Sequence, residues 1–351
     1  MLFNKKILKE KLIIILYGGR SAEKKVSVLS AQNVIAAADK EKFTVSAYFI
    51  SDKGRFYRVH DLSELLTNDR LAGETPIMPG EIYEEGAVVL PILHGPMGED
   101  GTIQGFLEIL GMPYVGPNVL AASSTMDKLL AKLVFQALNI PQLPYVAALS
   151  GEENWKIVEE VAAKLKFPVF VKPANMGSSV GISRVDNIGE LTPALDEAFK
   201  FDQRIVIEQG VVNAREIECA MLGNGNSVKA AFPGEIVKDV DFYDYKSKYI
   251  DNKIEMAIPA EIPAELAERI QNYAVKAYKA VNGAGMARCD FFLDKDGNLY
   301  LNEINSIPGF TKWSMYPLLW DNMGLPYPEL IEKLVELAKS AFELREAHLA
   351  D

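Results

Sequence analysis

Residues 286–305 have the sequence MARCDFFLDKDGNLYLNEIN, in which two apolar-rich runs flank a short polar segment. The polar segment, DKDGN, has the composition of a tight turn, so the two runs are predicted to form an antiparallel hairpin. Successive side chains of a strand point to opposite faces. Arg288 and Asp290 therefore share a face of the first strand, Glu303 and Asn305 share a face of the second, and all four can converge.

These four side chains point to metal chemistry. Two carboxylates and an amide oxygen form a hard oxygen-donor set, which suits Mg²⁺ because this ion keeps waters and takes substrate phosphates as further ligands. The sequence thus predicts a magnesium site at Asp290, Glu303 and Asn305. The alternative is a solvated strand face with one pair between Arg288 and Asp290, but charged groups on both strands of one hairpin favour the metal site.

A second polar motif follows an apolar strand that ends at Lys172. The loop 173–181, PANMGSSVG, offers backbone N–H groups of small residues and the hydroxyls of Ser178 and Ser179. Backbone donors combined with a lysine are a common way to hold phosphate oxygens. We therefore expect a phosphate site here, although a plain Gly/Ser hairpin loop has the same composition. The P-loop and dinucleotide-binding signatures are absent from the sequence.

Three further segments carry candidate groups, each with a simpler alternative. Glu23, in YGGRSAE at 17–23, lies near a helix start, where an acidic residue also serves as an ordinary cap. Gly309 permits the close backbone approach that an oxyanion-binding N–H needs, or merely marks a strand exit. Residues 237–252 interleave aromatic and basic residues without clear periodicity, which indicates a lid over a nucleotide or an exposed loop. The three histidines are scattered, so no nucleophilic triad is expected.

Composition excludes several partners. The chain has 351 residues and a formal net charge of −11, so it is expected to repel nucleic acid and anionic membrane surfaces. It also repels ATP at long range, which means that a nucleotide site needs its own local cations. No run approaches the roughly 18 apolar residues of a membrane helix. Two scattered cysteines fit a reducing cytosol, and we expect a soluble cytoplasmic protein without nucleic-acid or membrane partners.

The pattern of predicted elements changes twice along the chain. Strands and helices alternate over residues 1–124, which predicts an α/β domain with a parallel sheet and glycine loops at its strand ends. Residues 125–212 predict a small α+β domain that opens with a helix at Met126–Leu138. Residues 213–351 predict antiparallel strands, two long helices and a mobile loop at about 237–252. The predicted fold class is a multidomain protein of α/β and α+β units.

Taken in order, these motifs resemble those of the ATP-grasp superfamily and, within it, of the D-alanine–D-alanine ligases. Each motif is weak alone, whereas the ordered series, which runs from about Lys11 to Ala338, is specific. The series comprises GGRSAE at 18–23, HG and GEDGT within 94–102, MDK at 126–128, FPVFVKP at 167–173, GSSVG at 177–181, FYDY and KY within 242–249, RCDFF at 288–292, and NEIN and PG within 302–309. The resemblance implies an N-terminal parallel α/β (pre-ATP-grasp) domain followed by a two-subdomain ATP-grasp fold.

The resemblance also implies roles for the matching positions. Six residues are expected to hold ATP: Lys128, Lys172, Ser179, Glu208, Glu216 and Lys248. Five are expected to act in catalysis, through a hydrogen-bonded triad of the first three or at the developing oxyanion: Glu23, Ser178, Tyr249, Arg288 and Gly309. Four are expected to contact the amino-acid substrates: Glu23, His94, Arg288 and Ser314. Asp290, Glu303 and Asn305 are expected to hold two Mg²⁺ ions, with Mn²⁺ as an alternative.

The implied activity is the ATP-dependent ligation of two D-alanines to D-alanyl-D-alanine through a D-alanyl phosphate, for peptidoglycan precursor synthesis. The alternatives are a D-Ala–D-Ser or D-Ala–D-lactate ligase, or another ATP-grasp carboxylate–amine ligase. Tyr249 favours an amine nucleophile, because relatives that make D-alanyl-D-lactate replace the matching tyrosine. Met315 favours D-alanine, because relatives that prefer D-serine carry an arginine there. The resemblance further implies a homodimer.

Overall fold

The computed structural model describes residues 11–237 and 255–349. Within these residues the chain forms three β-sheets, which follow one another along the sequence. The predicted domain boundaries at 124 and 212 fall between the sheets and stay predictions. None of the helices in the described part of the chain is both long and apolar enough to cross a membrane.

The first sheet has the strand order β3-β2-β1-β4. Its strands are β1 (Lys11–Gly18), β2 (Phe43–Ile50), β3 (Phe56–Arg58) and β4 (Val88–Ile92), and helices α1 (Lys24–Ala37) and α2 (Thr102–Ile109) follow β1 and β4. β1 pairs in parallel with both β2 and β4, as predicted, and its residues 13–17 are fully buried, as expected for a parallel sheet covered on both faces. The short edge strand β3 was not predicted, and it pairs antiparallel with β2.

The second sheet is antiparallel throughout and has the order β5-β8-β6-β7. Its strands are β5 (Tyr145–Leu149), β6 (Val169–Pro173), β7 (Ser183–Val185) and β8 (Arg204–Gln209), and its helices are α5 (Asn154–Lys164) and α6 (Leu191–Ala198). The two helices pack their apolar faces on this sheet in one buried cluster. The sheet therefore keeps its opposite face available for a ligand.

The helix predicted at Met126–Leu138 is present, but it begins two residues later than predicted. The structure has α3 (Val119–Met126) and α4 (Lys128–Ala137), separated by Asp127. The carboxylate of Asp127 accepts a hydrogen bond from the backbone N–H of Leu130 and so caps the start of α4. A capping aspartate with extended backbone ends one helix and begins the next, which is why the predicted helix begins at Lys128 and Met126 belongs to α3.

The third sheet has the order β12-β11-β9-β13-β14, with β10 paired to β9. Its strands are β9 (Arg215–Leu222), β10 (Lys229–Ala230), β11 (Gly234–Val237), β12 (Glu255–Ala257), β13 (Met286–Leu293) and β14 (Leu299–Asn305), and helices α7 (Ala264–Ala280), α8 (Met315–Asn322) and α9 (Tyr327–Leu349) belong to the same region. The predicted hairpin is confirmed as β13–β14, with Arg288 opposite Asn305 and Asp290 opposite Glu303. The second and third sheets both contribute to one cleft, to which the loops of the first sheet add a third wall.

Candidate functional site

The cleft has a volume of about 830 Å³ and collects side chains from all three sheets. Glu23 comes from the loop after β1, Lys172 and Glu208 from the second sheet, and Asp290 and Glu303 from the third. Pockets of this size accept ligands as large as a nucleotide. Residues far apart in sequence are therefore brought together here, which is what a reaction between two substrates and ATP requires.

A buried carboxylate between two lysines forms the floor on the second sheet. Glu208 lies on β8 and its side chain is only 2% exposed. Its Oε2 lies 2.6 Å from Nζ of Lys172 on β6, and its Oε1 accepts a hydrogen bond from Nζ of Lys132 on α4. A buried charge is costly unless it is paired, so the two lysines stabilise the ionised form of Glu208.

The electrostatics of the cluster favour the charged forms of Glu208 and Lys172. Burial alone would raise the pKa of Glu208, but the ammonium groups of Lys132 and Lys172 outweigh it and lower that pKa to about 2. At Lys132 burial dominates and lowers the pKa of the ammonium, whereas at Lys172 the attraction of Glu208 outweighs burial and raises the pKa. In this cluster the lysines outnumber the carboxylate by two to one, although the chain as a whole has a formal net charge of −11.

The loop between β6 and β7 has the backbone shape expected of an anion-binding turn. Ser178 and Ser179 have φ values of 49° and 61°, in the left-handed region that side chains other than glycine rarely adopt. Both line the cleft, together with Lys128. The Nζ of Lys128 donates a hydrogen bond of 2.6 Å to the carbonyl of Met176 in this loop. The structure thus places three of the predicted nucleotide-site and triad residues around one loop.

Glu23 lies against the same loop from the opposite side. Its side chain is not a helix cap for α1, and the residue is 8% exposed. A β-carbon built on Gly177 would lie 2.4 Å from Oε1 of Glu23, and one built on Gly95 would lie 3.0 Å from it. Glu23 is thus the N-cap residue of α1 but makes no side-chain capping hydrogen bond, and its carboxylate lies close to Gly95 and Gly177.

Arg288 is held by carboxylates on the third sheet. Its Nε and Nη2 each donate a hydrogen bond of 2.7 Å to Asp290, one to each oxygen. Its Nε also lies 3.1 Å from Oε2 of Glu218. Glu218 and Glu303 are the direct neighbours of Asp290 on the flanking strands β9 and β14, so three carboxylates cross the sheet in one row. The guanidinium is thereby fixed facing the cleft.

The predicted metal ligands lie together at the end of this row. Asn305 Nδ2 donates a hydrogen bond of 2.7 Å to Asp290 Oδ2, and Asp290 is opposite Glu303. Across residues 11–237 and 255–349, no group of three acidic, histidine or cysteine side chains could hold a metal ion by itself. Two carboxylates and an amide nevertheless fit Mg²⁺, which completes its shell with waters and substrate phosphates. The ion would take over oxygens of Asp290 that Arg288 and Asn305 now contact.

His94 is placed behind the cleft. It is 4% exposed, its Nδ1 lies 3.1 Å from the carbonyl oxygen of Ile307, and its Nε2 lies 3.3 Å from Oγ of Ser30. Burial, helped by the positive charge of Arg288, lowers the pKa of His94 to about 4, so the ring is neutral at pH 7. The ring therefore engages protein groups with both nitrogens, and it is absent from the residues that line the cleft.

Other predicted positions lie at the edge of the site or beyond the described residues. Gly309 and Ser314 are adjacent, since a β-carbon on Gly309 would lie 3.0 Å from Oγ of Ser314. That hydroxyl also accepts a hydrogen bond of 3.1 Å from the N–H of Thr311. Lys248 and Tyr249 lie outside the described residues, as does the predicted lid beyond Val237. Glu216 also lines the cleft, and its place in a nucleotide site stays a prediction.

Three residues of the site were not predicted from the sequence: Lys132, Glu99 and Glu218. Lys132 occupies a helix of ordinary amphipathic pattern, and only its burial against β8 shows its role. Glu99 lies within the GEDGT motif, so the sequence did contain a signal that could have indicated it as a site residue. Burial, together with the nearby carboxylate of Glu23, raises the pKa of Glu99 to about 8. Glu218 could have been found by alternation, because it shares a strand face with Glu216.

Comparison with known proteins identifies two family models on this chain. Residues 12–117 match the N-terminal domain of D-ala D-ala ligase, and residues 134–336 match its C-terminal domain. The D-alanine–D-alanine ligase of Lactococcus lactis subsp. lactis is 64% identical over 344 residues, covering 96% of this chain and 98% of the relative. The D-alanine–D-alanine ligase of Streptococcus gordonii is 56% identical over 97% of this chain and 99% of the relative.

Solved structures agree with the sequence relatives. The D-alanine–D-alanine ligase of Coxiella burnetii superposes with a TM-score of 0.86 at 34% identity, covering 97% of each chain. The VanG D-Ala:D-Ser ligase of Enterococcus faecalis superposes with a TM-score of 0.83 at 33% identity, covering 94% of this chain and 100% of the other. The predicted fold class is thereby confirmed.

Proposed function

This chain belongs to the D-alanine–D-alanine ligase family, and we propose that its reaction takes place in the cleft between the three sheets. It is an ATP-dependent ligase that joins two D-alanines to D-alanyl-D-alanine for peptidoglycan precursor synthesis. One observation carries the location: the cleft is lined by Glu23, by the Glu208–Lys172 pair, behind which Lys132 is buried, and by the Arg288–Asp290 pair. Together these groups offer a partner for an ammonium, for phosphates and for a developing oxyanion.

The nucleotide lies between the second and third sheets. Lys172 and Lys132 neutralise its phosphates, and the loop with Ser179 supplies backbone donors, with Lys128 beside it. Two cations around Glu208 meet the requirement for local positive charge that the net charge of −11 imposes. The resemblance adds Glu208, Glu216 and Lys248 as contacts of the nucleotide.

Asp290, Glu303 and Asn305 hold the metal ions of the reaction, two Mg²⁺ or Mn²⁺. The proposal is supported by the pairing of β13 with β14, which aligns the three oxygen donors on one face of the sheet. Bound Mg²⁺ neutralises phosphate charge as a Lewis acid.

In the first step, Glu23 holds the ammonium of the first D-alanine. One oxygen of that substrate's carboxylate attacks the γ-phosphorus of ATP, the bond to the bridging oxygen breaks, and ADP leaves. Lys172 offsets the charge that spreads over the transferred phosphoryl group. The product of this step is D-alanyl phosphate, and Ser178 and Tyr249 join Glu23 in the triad that the resemblance implies.

In the second step, Ser314 holds the carboxylate of the second D-alanine. Its amine attacks the carbonyl carbon of D-alanyl phosphate and gives a tetrahedral oxyanion. Arg288 and the N–H of Gly309 stabilise that oxyanion, which then collapses with loss of phosphate. Arg288 can serve in this way because Glu218, which is not one of the proposed metal ligands, also lies 3.1 Å from its guanidinium.

The test of this assignment is Arg288→Ala. Loss of one oxyanion donor lowers kcat by roughly 10²–10³-fold in enzymes of comparable design, and we expect a fall of that size with little change in the Kd of ATP. Arg345→Ala is the matched control, because Arg345 is also partly buried and paired with a carboxylate, Glu108, away from the cleft. Equal turnover of Arg288→Ala and wild type would remove the oxyanion role.

Two further parts of the proposal need separate measurements. Mn²⁺ binding in the presence of ATP, followed by electron paramagnetic resonance, counts the metal ions; Asp290→Asn is expected to lower the count or the affinity. A homodimer, which rests on the resemblance, is tested by sedimentation equilibrium. A mass near 38.8 kDa at micromolar concentration would contradict the dimer.

A further inference from the structure

The segment that leaves β14 is held at one residue by two side chains of the N-terminal region. Ile307 lies two residues after Asn305 and two residues before Gly309. Its N–H donates a hydrogen bond of 3.1 Å to Oε1 of Glu99, and its carbonyl oxygen lies 3.1 Å from Nδ1 of His94. Both peptide groups of Ile307 are thus bound across a domain junction, by residues more than 200 positions earlier in the chain.

The chemistry of these contacts determines which ring nitrogen of His94 carries the proton. A carbonyl oxygen only accepts, so Nδ1 of His94 carries the proton and donates to Ile307. Nε2 of the neutral ring then accepts from the hydroxyl of Ser30, 3.3 Å away. Both ring nitrogens are therefore engaged within the protein, and His94 has neither of them to offer a substrate.

Glu99 connects the same point to the first-substrate side of the cleft. Its Oε2 accepts a hydrogen bond of 2.6 Å from the N–H of Gly95, while Oε1 accepts from Ile307. Gly95 is in contact range of Glu23, since a β-carbon built there would lie 3.0 Å from Oε1 of that residue. One buried carboxyl group, that of Glu99, thus links the loop beside Glu23 to the segment between Asn305 and Gly309.

We propose that His94 and Glu99 are positioning residues, which clamp Ile307 and so set the distance between the first D-alanine at Glu23 and the Asn305–Gly309 segment. This inference rests on the proposed function and changes the role of His94, which the resemblance assigned to substrate contact. The clamp acts on alignment, because a displacement of about 1 Å between reacting groups lowers turnover by roughly 10²-fold. It contributes to kcat and leaves the binding of ATP unaffected.

Two substitutions of one residue separate the clamp from substrate binding. The amide nitrogen of asparagine falls near Nδ1 of histidine, and that of glutamine near Nε2. His94→Asn therefore keeps a donor for the carbonyl of Ile307, whereas His94→Gln loses it. We expect His94→Gln to lower kcat about 10²-fold with an unchanged KM for ATP, and His94→Asn to retain kcat within about tenfold of wild type.

Glu99→Gln tests the clamp at a second residue, so that the conclusion does not depend on His94 alone. Its amide keeps the shape of the side chain but sets an N–H₂ group against one of two backbone N–H donors. We expect kcat to fall and ATP affinity to stay, with circular dichroism and thermal unfolding to compare the folded states. These measurements use the full chain and D-alanine-dependent phosphate release.

The outcomes distinguish the clamp from the proposed function. If wild type releases no phosphate with D-alanine, the proposed function fails. If wild type is active, and His94→Gln and Glu99→Gln turn over as fast as wild type, the clamp is refuted. It is also refuted if His94→Asn and His94→Gln raise the KM for D-alanine equally, because His94 would then contact the substrate. A lower kcat in His94→Gln and Glu99→Gln, with kcat largely kept in His94→Asn, supports it.

Discussion

Gly177 is packed so closely against Glu23 that a single added methyl group tests the geometry of the first-substrate site. A β-carbon on Gly177 would lie 2.4 Å from Oε1 of Glu23, whereas ordinary contact begins at 3.4 Å, so Gly177→Ala requires a displacement of about 1 Å. Oε1 is the far end of a flexible side chain that borders the cleft, so we expect the carboxylate of Glu23 to move while the backbone stays in place. A shift of about 1 Å at a substrate contact costs roughly 10²-fold in rate.

The assay is the initial rate of D-alanine-dependent phosphate release over a range of D-alanine concentrations. We expect kcat/KM for D-alanine to fall by about one to two orders of magnitude in Gly177→Ala. Gly80→Ala is the matched control, because a β-carbon at Gly80 meets no atom within 4 Å and its backbone does not require glycine. Kinetics of Gly177→Ala within twofold of those of Gly80→Ala would refute the placement of Glu23 in the first-substrate site.

Two further predictions follow from the electrostatics of the site. Lys132→Met removes one of the two lysines beside Glu208, and we expect calorimetry to show ATP binding at least about tenfold weaker. Lys156→Met is the control, because Lys156 forms an exposed ion pair, and it is expected to leave ATP affinity unchanged. Equal ATP affinities of the two variants would exclude a phosphate role for Lys132. Because the folded-state pKa of His94 is about 4, below the ordinary value of 6.5, the folded state resists protonation, and stability that is present above pH 6.5 is lost as pH falls towards 4. Between pH 7 and pH 4, the free energy of unfolding measured with urea should fall by about 3 kcal/mol more in wild type than in His94→Asn. Equal decreases in the two proteins would show that His94 is not the source of this pH dependence.

The hairpin at residues 286–305 could be predicted because every local signal agreed. The turn composition fixed the connection, and alternation fixed the faces, so the pairing of Asp290 with Glu303 followed. A bulge between Asp290 and Phe291 was not predicted, since alternation carries no sign of one extra residue. Short edge strands such as Phe56–Arg58 were missed because three residues give too little periodicity to recognise.

Contacts between residues far apart in the sequence could not be predicted from local patterns. Lys132 and Glu208 are 76 residues apart, and Glu99 and Ile307 are 208 residues apart. A lysine on a helix is usually solvated, so only the packing of α4 on the second sheet shows that Lys132 is buried and paired. The start of α4 directly after Asp127, by contrast, had a visible signal, because aspartate before an apolar periodic run is a typical N-cap.

The most direct test of the account follows oxygen atoms from D-alanine labelled with ¹⁸O in its carboxylate. Purified protein, ATP and Mg²⁺ are supplied with the labelled D-alanine, with L-alanine, D-serine and D-lactate in parallel, and phosphate and products are read by mass spectrometry. Attack of the carboxylate on the γ-phosphorus predicts one ¹⁸O in each phosphate released and equal amounts of D-alanyl-D-alanine. Phosphate without ¹⁸O, or release that does not depend on D-alanine, would contradict ligation through D-alanyl phosphate in this cleft.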